Sequence, residues 1–220
     1  VPIIKTEKIY FEDSIKNYKE QINKFNTGLD IQSKVLKPAD GVSCAGVNVI
    51  DSFNEFITAK DHIKKYTKLP YFILQDYIPG INVSVSLLSN GIEAIPLSLN
   101  FQDVTLESGE IKYKGGIVPF KHPLSDIAME TAKTAVESIP GLKGYVGVDM
   151  ILDNHNDKVY IVEINSRPTT PYVALRKLLN FNLGEAIINA VYGKLPTEII
   201  LNGQLKFYKE GETLRFSVLK

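Results

Sequence analysis

This chain predicts an α+β fold with antiparallel sheets, on three observations. Asn90-Gly91 joins two runs of alternating apolar and polar residues, 83–89 and 92–99, which is the strongest short-range hairpin signal present. A second pair of β-branched and aromatic runs, Tyr145 to Leu152 and Val159 to Ile164, flanks the polar turn Asp153 to Lys158. Helical patterns stand among these runs without the strict β-then-α alternation, or the Gly-x-Gly-x-x-Gly turn, of a dinucleotide fold.

In order, Val1 to Ile4 is a short apolar strand candidate. Ser14 offers an N-cap to a helix with Ile15, Tyr18, Ile22 and Phe25 on one stripe, stopped at Gly28. Val35 to Pro38 is a brief strand ending in Lys37-Pro38, and it runs into a loop of small residues, Ala39 to Val47. Ser52 caps a second helix with Phe53, Phe56, Ile57 and Ile63 inward, ending before Pro70. Tyr71 to Leu74 is the next strand, Pro79-Gly80 turns the chain, and Asn82 to Leu87 opens the first hairpin, whose Asn-Gly predicts a type I′ turn. Residues 100–118 read as further strand and loop, with Gly115-Gly116 permitting close backbone approach. Ser125 caps an Ala-rich helix that runs to Ser138. Tyr172 to Leu179 and Leu183 to Tyr192 follow as helices, the second with Asn182 as N-cap and Gly193 as C-cap. Lys206 to Leu219 reads as a strand or a loose tail.

At 220 residues and 44% hydrophobic, the chain is long enough for one large core or two smaller ones. Lys plus Arg equals Asp plus Glu at 25 each, with no long run of one sign, so neither nucleic acid nor an anionic membrane surface is expected as a partner. No apolar run approaches the roughly 18 residues of a bilayer span, and the charged start lacks a signal-peptide h-region. The single cysteine, Cys44, suits a cytoplasmic location.

The chemistry concentrates in the second hairpin. Side chains alternate faces along a strand, so Glu163 and Asn165 share one face of the second run. If Leu152 pairs near Lys158, Asp149 falls opposite Ile161 and diagonal to Glu163 on that face. Three hard oxygen donors then converge, which suits Mg²⁺ and hints at a nucleotide. Glu163 lies inside an apolar run, where a buried charge calls for a metal or an arginine. Lys37, just before the Asp40 to Gly46 loop, is placed to neutralise phosphate oxygens that backbone N–H groups surround. Arg167, two residues past Asn165, can reach a substrate carboxylate beyond the metal. His62, His122 and His155 are scattered and take no role.

Taken in order, Lys37-Pro38, the loop to Gly46, Gln75-Asp76-Tyr77-Ile78-x-Gly80-x-Asn82, Asp149 and Glu163-x-Asn165 resemble the ATP-grasp family of carboxylate-amine ligases. The resemblance spans roughly Val1 to Pro196. It implies two α+β subdomains with antiparallel sheets gripping ATP, the smaller over 1–78 and the larger over 79–200, with 201–220 as a C-terminal tail or strand. It also implies ATP with Mg²⁺ or Mn²⁺, and amide formation through an acyl phosphate. In that pattern Asp149, Glu163 and Asn165 hold the metal, while Lys37 with Asp40, Gly41, Val42, Ser43 and Gly46 binds phosphates. Gln75 and the Asp76-Tyr77-Ile78 segment meet adenine, and Asn82 stands where an acid usually binds ribose. Gly147 stands where several members carry an arginine, so Lys114 or Arg167 is expected to supply that charge. The family's N-terminal domain and first lysine would precede Val1. Within the family, Leu97 to Gln102, Tyr113 to Gly116 and Asn165 to Thr170 are most similar to the archaeal tyramine:L-glutamate ligases of methanofuran biosynthesis. A pyrrolysine-pathway-like ligase and a non-catalytic nucleotide-binding module are the alternatives. Amino acid and amine are the expected small-molecule partners, and a homo-oligomer is left open.

Overall fold

The computed structural model describes residues 2–13, 16–18, 20, 33–42, 44–211 and 213–219. Its contacts divide the chain into two units, one of residues 4–78 with 104–113, the other of residues 1–3, 79–103 and 114–220.

In the first unit, β1 (Thr6–Tyr10), β2 (Lys34–Pro38), β3 (Asn48–Ile50) and β4 (Tyr71–Asp76) pair antiparallel in the order β1-β4-β2-β3. The first strand is Thr6–Tyr10 rather than Val1 to Ile4, because Ile9 belongs to the core whereas Ile3 makes only an isolated bridge to Ile161. A strand the sequence left unassigned, β3, follows the small-residue loop. Helix α1 (Phe53–Ile63) starts where Ser52 accepts the Glu55 N–H at 3.3 Å, as its N-cap signal predicts. Phe56 and Ile63 bury against Leu36, Ile50, Phe72 and Leu74, with Phe53 and Ile57 packed at the edge. Tyr18 joins this core, its ring 5.2 Å from that of Phe56. Lys16 to Tyr18 are helical, but Ser14, Ile15, Ile22, Phe25 and Gly28 of the predicted helix lie outside the described residues.

The second unit is built on β5 (Ile81–Asn90), β8 (Lys143–Asp153), β9 (Lys158–Asn165) and residues 94–103 of β6 (Ala94–Glu107). Their order is β6-β5-β8-β9, all antiparallel. The last residues of β6 and the first of β7 (Glu110–Val118) count with the first unit, while Lys114 to Val118 carries β10 (Gln204–Glu210), which pairs with β11 (Thr213–Leu219). The segment read as a strand or loose tail is therefore a hairpin. Gly115 and Gly116 allow close backbone approach on both sides of β7: a Cβ on Gly115 would strike the Phe207 carbonyl oxygen of β10, and one on Gly116 the Phe101 carbonyl oxygen of β6.

Period-2 alternation gives this sheet two unlike faces. Val83, Val85, Leu87, Val146, Val148, Met150 and Leu152 pack with Ala128, Ala132, Ala135 and Val136 of α2 (Ser125–Glu137). Small helix residues let the backbone approach the sheet closely, and burying each large apolar side chain contributes about 1.5–3 kcal/mol. The opposite face carries Ser84, Ser86, Ser98, Asn100, Tyr145 and Asp149. Two short helices, α3 (Tyr172–Leu178) and α4 (Leu183–Val191), follow, and Asn182 caps α4 by accepting the Glu185 N–H at 3.2 Å. No helix among the described residues is long and apolar enough to cross a membrane.

Two local expectations are corrected. The Asn90-Gly91 hairpin forms, but positive φ falls on Gly91 alone (95°), not on both residues as a type I′ turn requires. Asn90 instead uses its side chain, which accepts the N–H groups of Ile92 and Glu93 at 3.0 and 2.8 Å. The paired positive φ values occur at Ser108-Gly109 (52° and 82°), between β6 and β7. Ser125 is the first helical residue rather than the cap, and its hydroxyl is held by His122, accepting its N–H at 3.0 Å and donating to its carbonyl at 2.7 Å.

Candidate functional site

On the polar face of the second unit, Asp149 lies directly across from Glu163, and Gly147 across from Asn165. The sequence expectation placed Asp149 opposite Ile161. The pairing is displaced by one residue, with Leu152 opposite Val159, and a β-bulge between Asp149 and Met150 then shifts the register by one more so that Val162 has no single partner. The bulge puts the two acids in register on one face of adjacent strands, at a pairing where Cβ atoms stand about 4.5–5.5 Å apart. Glu163 is exposed, not buried in its apolar run, because the bulged strand turns it outward. Two acids in register on neighbouring strands are a donor arrangement that a shared cation suits.

Amide groups frame Asp149. The Asn165 Nδ2 donates to its Oδ2 at 3.0 Å, and the Gln102 Nε2 donates to its Oδ1 at 2.8 Å. Arg167 donates from its guanidinium to the Asn165 Oδ1 at 3.1 Å, so the structure joins it to the end of this row. Gln102 was no predicted site residue. Its signal was parity with Asn100, legible only once β6 and β8 are known to flank β5. Among the described residues no group of three or more His, Cys, Asp or Glu could hold a metal. The set that fits a hard cation has two carboxylates and the oxygen of an amide, a donor composition suited to Mg²⁺ with waters and phosphates completing its shell.

Beneath this row runs a buried polar network. Asn100 accepts from Ser98 at 2.6 Å and donates to the Ser84 carbonyl and the Ser86 hydroxyl at 3.1 and 3.0 Å. Tyr145 donates to Ser86 at 2.7 Å, and burial, ahead of any other influence, pushes its hydroxyl pKa up. Gly147 has no space for a side chain, since a Cβ would meet the Thr169 Cγ2 at 2.5 Å. A larger side chain at this position would have to displace Thr169. Lys114 is exposed on β7, and Asn82 shares the Ser84 face of β5, in register with Ile151.

In the first unit, Lys37 is half-buried on β2 opposite Ile73. The loop after it is shaped by two backbone bonds, Ala45 N–H to the Val42 carbonyl (3.1 Å) and Val47 N–H to that of Cys44 (3.2 Å), and by positive φ at Cys44 (61°) and Gly46 (74°). A Cβ on Gly46 would strike the Tyr66 ring at 2.8 Å, while Asp40 and Val42 are exposed and Ser43 lies outside the described residues. Glu110 accepts from the Gly46 backbone and from Lys112, whose ammonium is the largest influence holding its carboxyl below the ordinary value. Gln75 is buried and donates to the Thr6 hydroxyl at 2.9 Å. Tyr77 gives its N–H to the Ser33 carbonyl at 3.2 Å, and Ile78 is buried. Asp76 is 3.0 Å from the Lys34 ammonium, with both side chains about as buried as the core. Lys34 was legible in principle: it shares strand parity with Leu36 and Pro38, as Asp76 does with Phe72 and Leu74.

Residues 12–171 match the ATP-grasp domain family. The chain belongs to the ATP-grasp family. Among its relatives, the tyramine–L-glutamate ligase of Methanocaldococcus jannaschii is 40% identical over 64% of this chain and 40% of its own length. That of Methanocaldococcus fervens is 34% identical over 79% of this chain and 64% of its own. This ATP-grasp chain thus spans roughly two-fifths to just under two-thirds of the curated relatives it matches. The biotin carboxylase domain of Hydrogenobacter thermophilus 2-oxoglutarate carboxylase, solved with MgADP, shares the fold at TM-score 0.73, with 15% identity over 94% of this chain and 46% of that one. An L-amino acid ligase from Bacillus licheniformis does so at 0.68, with 14% identity over 94% and 49%. The ATP-grasp fold, with antiparallel sheets and few helices, is as the sequence predicts.

Proposed function

We propose that the chain is the ATP-grasp part of an ADP-forming carboxylate-amine ligase, with L-glutamate as acid and tyramine as amine. The observation that carries the ligase reading is the in-register Asp149–Glu163 pair with Asn165 beside it. Family membership and two tyramine–L-glutamate ligase relatives support the substrates.

In this reading a carboxylate oxygen of glutamate attacks the γ-phosphorus of ATP, and ADP leaves. The amine nitrogen then attacks the acyl carbon of the resulting acyl phosphate, loses a proton, and expels inorganic phosphate to leave the amide. Asp149, Glu163 and Asn165 would hold Mg²⁺ or Mn²⁺, which supplies neutralisation of phosphoryl charge. Lys37 and the Asp40 to Gly46 loop bind phosphate oxygens, and the Gln75 to Ile78 segment and Asn82 bind the nucleoside. Arg167 orients the acid, with Lys114 a second cation for the transferred group, a positioning task that governs rate more than affinity. In this reading residues 1–78 are the smaller subdomain, 79–200 the larger and 201–220 a C-terminal strand segment, and the location is cytoplasmic.

The test is ADP release by the full-length protein with glutamate and tyramine, alongside other acid and amine pairs. ADP formation that requires both substrates supports the reading, and Glu163→Gln is expected to abolish it while the circular dichroism spectrum is unchanged. Nucleotide binding without turnover for any pair would favour a non-catalytic module instead.

A further inference from the structure

We infer that Gln102 is a positioning residue for the cation site, an inference that rests on the metal reading of Asp149, Glu163 and Asn165. Gln102 stands on β6 and Asp149 on β8, with β5 between them. Strands lie about 4.8 Å apart, so the glutamine side chain spans the whole width of β5 to reach the carboxylate. It does so with a 2.8 Å bond to Oδ1, while Asn165 holds Oδ2 at 3.0 Å. One amide donor on each oxygen fixes both the position and the plane of the carboxylate.

The identity of the donor matters as much as its place. A neutral amide orients Asp149 without cancelling its charge. A lysine or arginine could donate from the same side, but it would form an ion pair and oppose a cation arriving at the same carboxylate. Glutamine therefore adds no competing charge beside the Asp149–Glu163 pair while restraining rotation of the half-buried Asp149 carboxylate. Outer-shell partners of this kind change metal affinity by about 10–100-fold when removed.

Two substitutions separate this role from simple packing. Gln102→Met keeps length and approximate volume but removes the donor, and Gln102→Lys restores a donor while adding a positive charge. Mn²⁺ is titrated into the 220-residue chain at fixed ADP, with free Mn²⁺ read by electron paramagnetic resonance against a protein-free ADP blank. Thermal unfolding of each variant is recorded in parallel. The expected result is that Gln102→Met binds Mn²⁺ about 10-fold more weakly than wild type, in the range of outer-shell changes. Gln102→Lys is expected to bind more weakly still, although its Tm is no lower than that of Gln102→Met. Equal Mn²⁺ affinity in wild type and Gln102→Met, with wild type binding, overturns this inference alone. Recovery of affinity in Gln102→Lys also overturns it, because any donor would then suffice. A wild-type chain that takes up no Mn²⁺ overturns the metal reading, and the inference falls with it.

Discussion

Replacing Lys34 with Met is expected to destabilise the 4–78 unit by about 3–5 kcal/mol, because it strands Asp76 as a buried charge. The two side chains are 4% and 5% exposed and 3.0 Å apart, and their residues face each other across β2 and β4. With an effective dielectric near 20, two unit charges at that separation attract by roughly 5–6 kcal/mol, which sets the scale of what the lone carboxylate loses. A loss of this size is a large share of the 5–15 kcal/mol of a typical domain and lowers Tm by roughly 10 °C. The assay is urea unfolding by circular dichroism, with hydrogen exchange at β2 and β4 amides reporting this unit separately. The double variant Lys34→Met/Asp76→Leu is expected to recover most of the loss, since replacing both charges by apolar groups is often near neutral. A single variant within 1 kcal/mol of wild type, or a double variant as unstable as the single, refutes the reasoning about burial. The double variant also probes the nucleotide expectation for Asp76: unchanged ATP affinity would confine that residue's role to the fold.

Three further outcomes are expected. Gly147→Ala should cost about 1–3 kcal/mol through overpacking against Thr169, and adding Thr169→Gly should return most of it in the same unfolding assay. Arg167→Lys keeps the charge but loses the planar fork, so steady-state kinetics should show a large fall in kcat/KM for glutamate with little change in KM for ATP. If only the KM for ATP rises, Arg167 belongs with the phosphates. Lys112 holds Glu110 below its ordinary 4.5, and Glu110 in turn raises Lys112 above 10.5. The acid's share of stability is present above 4.5 and is lost as pH falls through the depressed folded-state value, while the amine's is present below 10.5 and is lost as pH rises through the raised one. Carbon-detected NMR of Glu110 should give a midpoint below 4.5 that moves up in Lys112→Met, and an unmoved midpoint would refute the pairing.

Alternation, caps and turn residues were enough to read the antiparallel α+β class, helix α1 from Ser52, helix α4 from Asn182 and the two hairpins, because these depend on neighbours a few residues apart. The motif order from Lys37 to Asn165 was likewise sufficient to indicate the ATP-grasp family, since it is a property of the chain and not of its packing. Register and partnership were not legible. Asp149 meets Glu163 only because a bulge absorbs one residue of β9, and no local signal distinguishes that from an unbulged ladder. Asn90-Gly91 carries the I′ composition, yet the side-chain bonds of Asn90 win, while Ser108-Gly109 adopts the paired positive φ with a weaker signature. Gln102, 47 residues from Asp149, and Lys34, 42 from Asp76, find their partners through strand order. Hydrogen-bonded pairing sets which side chains share a face across strands, and that is a tertiary decision made by non-local burial.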